Sequence, residues 1–114
     1  MWPHRQRPSK YRARPTTVDG QRFASQLEAR RYGHLCLEMA AGTVTDLRCQ
    51  VRYPIVLADL DGHDVTVCTY VADFVYMRDG QVIVEDVKGV RTPMYRLKAK
   101  LMQVLLGIVI QEWP

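Results

Sequence analysis

The chain has 114 residues, of which 47% are hydrophobic and 25% charged, and its formal net charge is +4 at pH 7. A chain of this length is expected to form one domain with a modest core. No apolar run approaches the ~20 residues of a membrane helix. No apolar stretch follows the basic N-terminus as in a secretory signal, so we expect a cytoplasmic protein. The cysteines lack C-x-x-C spacing, which favours small core residues over disulfides or zinc ligands; they are Cys36, Cys49 and Cys68.

The positive charge is concentrated at the N-terminus. Residues 1–15 contain no acidic side chain, and all 12 acidic residues lie in the remainder. The basic residues of this segment are Arg5, Arg7, Lys10, Arg12 and Arg14. We predict a flexible basic arm over residues 1–15 and one folded domain over residues 16–114. Such an arm suits a polyanion such as nucleic acid, and the alternative is a solubilising tail.

Residues 16–42 contain the first predicted elements. An Asp-Gly pair at residues 19–20 predicts a small hairpin or an extended lead-in. A helix follows over residues 25–42, because Ser25 and Glu28 have the spacing of a capping box and a glycine at its end suits a helix terminus. Glu28 lies within the apolar stripe of this helix, which consists of Tyr32, Leu35 and Met39. It is therefore expected to face the sheet, and a role as a simple cap is the alternative.

The remaining elements are three strands, a helix and a closing strand. The strands are predicted over residues 44–60, 65–77 and 81–88, and Pro54 indicates that the first is an edge strand or contains a bulge. Thr92-Pro93 begins the second helix and Gly107 ends it. Its predicted apolar stripe consists of Met94, Leu97, Leu101, Val104 and Leu105. A last strand over residues 108–113 completes the order α-β-β-β-α-β, an α+β fold with a mixed sheet flanked by helices.

An Asp-Gly pair at residues 79–80, between two apolar runs, predicts a hairpin with a two-residue type I′ turn. Continued along both strands, this register places Asp73 opposite Asp86. Because strand side chains alternate, Asp73, Asp86 and Lys88 are expected on one face. Glu85 is expected on the other face. The other residues on the face of Asp86 are Val71, Val75, Val82 and Val84. Two facing carboxylates on an apolar face are destabilising unless a cation compensates them.

A divalent metal ion is the compensation that this arrangement favours. Asp73 and Asp86 are predicted to hold Mg²⁺ or Mn²⁺, with the Val87 carbonyl as a third oxygen ligand. Such an ion polarises a phosphodiester and lowers the pKa of a bound water. Lys88 is predicted to orient the attacking water or to offset charge on the phosphate. Glu28 would complete the metal shell or bind a metal-held water.

The same residues resemble a known superfamily. Asp73 followed by Asp86-Val87-Lys88, on a chain with this order of elements, resembles the PD-(D/E)XK nucleases, many of which keep a helix glutamate where Glu28 lies. The segments SKYRARPTTVDGQRFASQLEARRY, TYVADFVY and VEDVKGVRTPMYRLK resemble a small family in that superfamily, encoded by phages and prophages. The resemblance runs from about residue 9 to the C-terminus. One departure is Ala72, which stands where the superfamily motif has proline.

This resemblance implies a restriction-endonuclease-like core, DNA cleavage with Mg²⁺ or Mn²⁺, often a homodimer, and a location in the bacterial host cytoplasm. The catalytic residues that it implies are Asp73, Asp86, Lys88 and Glu28. The implied metal-binding residues are Asp73, Asp86, Val87 and Glu28.

Nucleic-acid contacts are predicted from basic and polar side chains. Those in the arm are Arg7, Lys10, Arg12 and Arg14. Those in the domain are Arg30 and Arg31 on the first helix, Gln50 on the first long strand, and Arg91, Tyr95, Arg96, Lys98 and Lys100 around the start of the second helix. The alternatives are a solvated helix face for the last group and an edge-strand glutamine for Gln50. The histidines lack zinc-ligand spacing and are expected at the surface or in the arm; they are His4, His34 and His63.

We therefore expect a metal-dependent DNA endonuclease of phage origin that acts on branched DNA, such as a Holliday junction, in recombination or packaging. A junction resolvase would need to be a dimer to place two cuts symmetrically. A second hypothesis is a non-catalytic nucleic-acid-binding module on a nuclease-like scaffold, and a third is an interaction protein in phage assembly. The complete set of Asp73, Asp86 and Lys88 argues against the second hypothesis, since a decayed site usually loses members.

Overall fold

The computed structural model describes residues 15–88 and 90–113. Its elements, in chain order, are β1 (Thr16–Val18), β2 (Gln21–Phe23), α1 (Gln26–Ala40), β3 (Thr45–Ala58), β4 (Asp64–Arg78), β5 (Gln81–Val87), α2 (Pro93–Leu106) and β6 (Gln111–Trp113). The predicted order α-β-β-β-α-β is confirmed, and the small hairpin of β1 and β2 precedes it. The predicted basic arm lies outside the described residues, apart from Pro15.

A four-stranded mixed sheet forms the centre of the fold, in the order β3-β4-β5-β6. The first three strands are antiparallel, and β6 pairs with β5 in parallel after the α2 crossover. This order confirms that β3, with its Pro54, is an edge strand. β1 and β2 form a separate hairpin around Asp19 and Gly20, which both have positive φ angles.

Both helices begin and end near the predicted capping residues. The hydroxyl of Ser25 accepts a hydrogen bond from the Glu28 N–H at 3.1 Å, and the hydroxyl of Thr92 accepts one from the Tyr95 N–H at 3.1 Å. Gly107 ends α2 in the left-handed conformation, with φ 67°. In the described part of the chain, no helix is long and apolar enough to cross a membrane.

The two helices cover opposite faces of the sheet. The α1-side core contains Phe23, Ala29, Leu35, Val44, Phe74, Tyr76 and Val87. The α2-side core contains Ile55, Tyr70, Ala72, Val75, Val84, Tyr95 and Met102. The three cysteines are free and half-buried, and Cys49 and Cys68 pack against these cores as predicted.

The alternation of side chains reverses at one point along β3 and β4. Ala72 lies in the α2-side core and Phe74 in the α1-side core, although residues two apart on a regular strand share a face. The facing residues of β3 divide between the cores in the same way. Between these pairs lie Asp73 and Gln50, and Gln50 has a positive φ of 52°. This left-handed residue interrupts the extended strand, so the two strands exchange their faces at the level of Asp73.

The predicted apolar stripes of the helices are partly wrong. Met39 is 38% exposed, and the buried residues of α1 are Ala29, Arg31 and Leu35. On α2, the buried residues are Tyr95 and Met102. Most of the predicted α2 stripe is exposed, namely Met94, Leu97, Val104 and Leu105. Because α2 carries apolar residues on more than one side, periodicity alone does not determine which side faces the sheet.

Candidate active site

The hairpin between β4 and β5 has the predicted two-residue turn. Residues 79–80 have φ angles of 51° and 74°, both positive, as a type I′ turn requires. The register set by this turn is observed as far as Phe74 opposite Glu85. The next position on each strand holds Asp73 and Asp86. The turn therefore brings the two carboxylates to the same level of the sheet.

Asp73 lies just beyond the last paired residues of β4 and β5. Its Oδ2 accepts a hydrogen bond from the Val87 N–H at 2.8 Å, and Gln50 Nε2 lies 3.4 Å from its Oδ1. Burial, together with the nearby carboxylates of Asp86 and Glu28, raises the pKa of Asp73 to about 8 although the Val87 N–H lowers it. The ionised form of Asp73 is therefore short of compensating positive charge.

Asp86 is 5% exposed and has two side-chain partners. The Tyr70 hydroxyl donates to its Oδ2 at 2.6 Å, and Lys88 Nζ lies 2.8 Å from its Oδ1. Burial and the Asp86 carboxylate raise the pKa of Tyr70, so the hydroxyl stays a donor. The Lys88 ammonium also lies 3.6 Å from the centre of the Tyr95 ring, a cation–π contact. Asp86 and Lys88 are thus both fixed on the α2 side of the sheet, as their spacing predicts.

Glu28 lies in the first turn of α1, where its backbone and its side chain have different surroundings. Its N–H donates to the Ser25 hydroxyl at the start of α1. Burial raises the pKa of its carboxyl, against a hydrogen bond from the Ala24 backbone that lowers it. Its Oε2 is buried without a hydrogen-bond partner, the one such side-chain atom among the described residues. Such an oxygen is costly unless a ligand, water or ion satisfies it.

These side chains line one cavity of about 350 Å³, which we call the acidic pocket. Its lining residues are Glu28, Thr69, Tyr70, Val71, Asp73, Asp86, Val87, Lys88, Thr92, Met94, Tyr95 and Lys98. The pocket thus collects every residue predicted to act in catalysis or to bind metal. It lies where β4 and β5 end their pairing, between the N-terminal ends of both helices.

One expectation about this face of the sheet is wrong. Tyr70 and Ala72, not Val71, lie in the α2-side core beside Val75. The cause is the reversal of alternation at Asp73, which the prediction of a regular strand did not include. Val71 instead lines the acidic pocket.

Glu85 points to the α1 side, as predicted, and forms a closed ion pair there. Arg31 donates to both of its carboxylate oxygens at 2.8 Å, and the Tyr76 hydroxyl donates to Oε1 at 2.6 Å. The Arg31 guanidinium also lies 3.6 Å from the centre of the Trp113 ring. The side chains of Arg31 and Glu85 are each 3% exposed. The prediction that Arg31 contacts nucleic acid is therefore wrong, because its side chain is buried and its guanidinium is bound to Glu85.

The other predicted contacts differ in their accessibility. Arg30 and Gln50 are exposed, on α1 and β3 respectively. Lys98 lines the acidic pocket, where its Nζ donates to the Thr69 carbonyl at 2.9 Å. Arg91 is largely exposed and pairs with Glu112. The predicted contacts in the arm lie outside the described residues.

Tyr95 is positioned by its neighbours and is largely closed to solvent. It is 9% exposed, its ring lies under Lys88, and its hydroxyl donates to Glu112 Oε2 at 2.8 Å. Arg96 and Lys100 are exposed beside it on α2. Tyr95 therefore positions Lys88. Arg96 and Lys100, in contrast, are accessible to solvent and to a nucleic acid.

Three residues with structural roles around the site were not predicted. Tyr70 holds Asp86, Glu112 holds Tyr95 and Arg91, and Trp113 covers Arg31. Regular alternation would turn Tyr70 away from Asp86, and no residue pattern signals the reversal. Asp86 lies opposite Glu112 in the parallel pairing of β5 and β6. The crossover predicts that these strands are neighbours but does not fix their register.

A second acidic group lies at the exposed tip of the β3–β4 hairpin. Ligand atoms of Asp59, Asp61 and His63 lie within 4.8 Å of one another. Asp59 Oδ1 accepts hydrogen bonds from the N–H groups of Asp61 and His63, both at 2.9 Å. These bonds are typical of a turn and account for the grouping. The acidic pocket, with its buried oxygens, is the better candidate for a metal site.

A comparison with protein-family models matches residues 8–113 to a family described as "Protein of unknown function (DUF1064)". Searches of curated proteins and of solved structures found no match.

Proposed function

The chain belongs to this family of unknown function, and we propose that it is a metal-dependent endonuclease that hydrolyses phosphodiester bonds in DNA. The observation that carries the proposal is the meeting of Asp73, Asp86 and Lys88 in one pocket, with Glu28 reaching it from α1. We further propose that the mixed sheet and its two helices form a PD-(D/E)XK core. The order of elements and the positions of the two aspartates support this.

The acidic pocket fits a hard divalent cation such as Mg²⁺ or Mn²⁺. Asp73 and Asp86 offer carboxylate oxygens, the ligands that these ions prefer, and Val87 lines the same cavity. Glu28 Oε2 is buried there without a partner. Burial and neighbouring carboxylates raise the pKa of Asp73 to about 8, which is the signature of a site short of positive charge. When bound, the cation would supply Lewis acidity toward the phosphate and a lowered pKa for water.

The chain's own residues hold these groups in place. The Val87 N–H fixes Asp73, and the Tyr70 hydroxyl fixes Asp86. Lys88 is held between Asp86 and the Tyr95 ring. From there its ammonium offsets the negative charge that develops on a phosphate in the transition state, or orients the attacking water.

The proposed substrate is branched DNA, such as a Holliday junction, processed in phage recombination inside the bacterial host. This choice rests on the resemblance to phage-encoded nucleases. Exposed cations on the two helices and just before α2 support a polyanionic substrate, because phosphate contacts dominate DNA affinity. They are Arg30, Arg91, Arg96 and Lys100.

Cleavage assays on linear, nicked, flap and four-way-junction DNA with Mg²⁺ and Mn²⁺ test the proposal. We expect cleavage that needs the metal and prefers the junction, and that is abolished by Asp86→Asn and by Lys88→Ala with the fold intact. The control is Asp64→Asn, which removes an exposed carboxylate at the start of β4 and should leave cleavage unchanged. Cleavage that survives both active-site changes would contradict the assignment.

The same assays separate the alternative of a non-catalytic nucleic-acid-binding module. Such a module would bind DNA with a steep dependence on salt, would not cleave any substrate, and would bind DNA equally well after Asp86→Asn.

A further inference from the structure

A second cavity, of about 400 Å³, lies between α2 and the segment that contains β6. We call it the α2–β6 pocket. One wall consists of α2 side chains with Arg91 just before them, and the other consists of Val109, Ile110 and Glu112. Its volume falls in the range of about 300–1,000 Å³ that is usual for small-molecule sites. The cavity is therefore large enough for one small ligand.

The α2 wall of this pocket is polar and basic. Arg96, Lys100 and Gln103 follow one another at intervals of four and three residues, so they lie along one side of the helix. All three are exposed and line the pocket. Among the described residues, neither Arg96 nor Lys100 has an ion-pair partner. Their positive charges are therefore available to an anionic ligand.

The carboxylate that lines the pocket is already matched. Glu112 Oε2 accepts a hydrogen bond from the Tyr95 hydroxyl at 2.8 Å, and its Oε1 pairs with Arg91. The charges of Glu112 and Arg91 offset each other, which leaves the pocket with the excess positive charge of Arg96 and Lys100. This balance favours an anion over a metal ion.

The opposite wall offers apolar surface. Val109 is 69% exposed, and Ile110 is half-buried against the α2-side core. Ala99 adds a small apolar residue from α2. An inorganic anion held by the cations would leave this apolar surface without a contact. The two walls together suit a ligand that has a negative charge on one side and an apolar surface on the other.

The α2–β6 pocket is a neighbour of the acidic pocket. Tyr95 lines both cavities. Glu112 on β6 lies opposite Asp86 on β5, and paired strands are about 4.8 Å apart. A nucleic-acid strand that places one phosphate in the acidic pocket can therefore place an adjoining nucleotide in the α2–β6 pocket.

We infer that the α2–β6 pocket binds an unpaired nucleotide of the DNA strand that is cut. Its phosphate binds Arg96 and Lys100, and its base packs against Val109. The Gln103 amide offers a donor and an acceptor to the edge of the base. The inference deepens the proposed function, on which it rests for the identity of the bound strand.

Such a pocket selects DNA by its structure. In an intact duplex a base must lose its pairing and its stacking before it can enter a pocket, and this cost is smallest where the base is already unpaired. Branch points, flaps and single strands would therefore bind more tightly than a blunt duplex. The pocket gives the proposed preference for branched DNA a physical cause within this chain.

NMR titration of the metal-free full chain locates the ligand without any substitution. The probes are deoxyadenosine monophosphate and, separately, inorganic phosphate. We expect the nucleotide to shift the amide signals of both walls, around Lys100 and around Val109, and phosphate to shift those of the basic wall alone. Equal shifts with the two probes would reduce the pocket to an anion site and overturn the inference, as would nucleotide shifts confined to other surfaces.

Fluorescence anisotropy with a labelled single-stranded oligonucleotide and its blunt duplex, in the presence of a chelator, tests the link to DNA. We expect the wild type to prefer the single strand. Val109→Asp should reduce this preference by about fivefold or more, because it removes the apolar contact with the base. The control is Val82→Asp, since Val82 is a 59% exposed valine at the far end of β5 from both pockets, and it should keep the preference.

Equal wild-type affinity for the single strand and the duplex would overturn the inference, even if the monophosphate binds, because the pocket would then serve a free nucleotide. A preference that survives Val109→Asp would also overturn it. Neither assay contains a metal ion or depends on cleavage. Absence of metal-dependent cleavage in a chain that keeps both results would instead count against the proposed function alone.

Discussion

Two adjacent carboxylates on β5 have opposite surroundings. Glu85 is 2% exposed and meets a bidentate arginine and a tyrosine hydroxyl, so every strong interaction it needs lies within the protein. Asp86 is 5% exposed, yet it faces a cavity that also holds Asp73 and Glu28. The contacting cation on that side is Lys88. Burial is nearly equal for the two residues. Glu85 and Arg31 form a matched pair, whereas Asp86, Asp73 and Glu28 form an unmatched group of three carboxylates in a cavity where Lys88 is the contacting cation.

The contrast shows how a buried acid can be classified. A carboxylate with a complete set of partners stabilises the positions of the elements around it, as Glu85 joins α1, β4 and β5. Carboxylates that repel one another in a cavity destabilise the metal-free protein and are typical of a site built for a ligand. The predictions below break the matched pair, change the unmatched group or remove a hydrogen bond that holds it.

The largest expected effect comes from breaking the matched pair. Arg31→Met leaves the Glu85 carboxylate buried without its cation, which costs about 3–5 kcal/mol of unfolding free energy. For a domain of this size, each kcal/mol lowers the melting temperature by about 4–8 °C. Denaturant and thermal unfolding measure the loss. The control is Arg78→Met, since the Arg78–Glu38 pair is about one-third exposed and should contribute at most about 1 kcal/mol. Equal losses of unfolding free energy in the two variants would contradict a larger contribution from the buried Arg31–Glu85 pair.

Replacing one carboxyl of the unmatched group should raise the free energy of unfolding, the opposite of the loss expected for Arg31→Met. Asp73→Asn keeps the shape of the side chain and an oxygen for the Val87 N–H. It also removes the cost of taking up a proton on folding at pH 7, because asparagine is uncharged in both states whereas the Asp73 carboxyl is ionised only in the unfolded one. We expect the metal-free protein to gain on the order of 1 kcal/mol at pH 7. Thermal unfolding in the presence of a chelator measures the change. A loss of stability would contradict the idea that the pocket lacks positive charge.

The pKa of Asp73 predicts how the metal-free protein responds to pH. Its carboxyl keeps its proton up to about pH 8 in the folded state, whereas the usual value is 3.8. Between these values the folded state binds more protons than the unfolded state. The contribution of Asp73 to stability is therefore complete below pH 3.8 and is lost as the pH rises toward 8. Asp73→Asn should flatten the stability curve between pH 4 and 8, and curves of equal slope would contradict the raised pKa.

The smallest expected effect on stability is that of Tyr70→Phe. It removes the hydroxyl that donates to Asp86 Oδ2 at 2.6 Å and should cost about 1 kcal/mol of unfolding free energy. Because Tyr70 positions a proposed metal ligand, we expect metal affinity and cleavage to fall by about 10–100-fold. The control is Tyr53→Phe, on a half-buried neighbour whose ring lies 6.5 Å from that of Tyr70. Unchanged metal affinity in Tyr70→Phe would show that the Tyr70 hydroxyl does not position Asp86 for metal binding.

Local sequence signals predicted the parts of the site that depend on short-range geometry. The Asp-Gly turn fixes the register of β4 and β5, and alternation along β5 separates Asp86 and Lys88 from Glu85. The capping residues likewise determine where α1 presents Glu28. Each of these depends on a few neighbouring residues with strong backbone preferences.

Features that depend on distant contacts could not be predicted in this way. The positive φ of Gln50 reverses the faces of two strands, although glutamine has no special preference for that conformation. This reversal brings Tyr70 to Asp86. The burial of Arg31 depends on Glu85 and on Trp113 from the last strand, residues far away in the sequence.

Binding of a divalent cation to the acidic pocket is most directly measured by calorimetric titration of the metal-free chain with Mn²⁺ and Mg²⁺. We expect saturable binding to the wild type that is lost in Asp86→Asn. Asp59→Asn, which changes the exposed acidic group at the β3–β4 tip, should keep that binding. Binding that survives Asp86→Asn but disappears in Asp59→Asn, or no binding to the wild type at all, would contradict a metal site formed by Asp73 and Asp86.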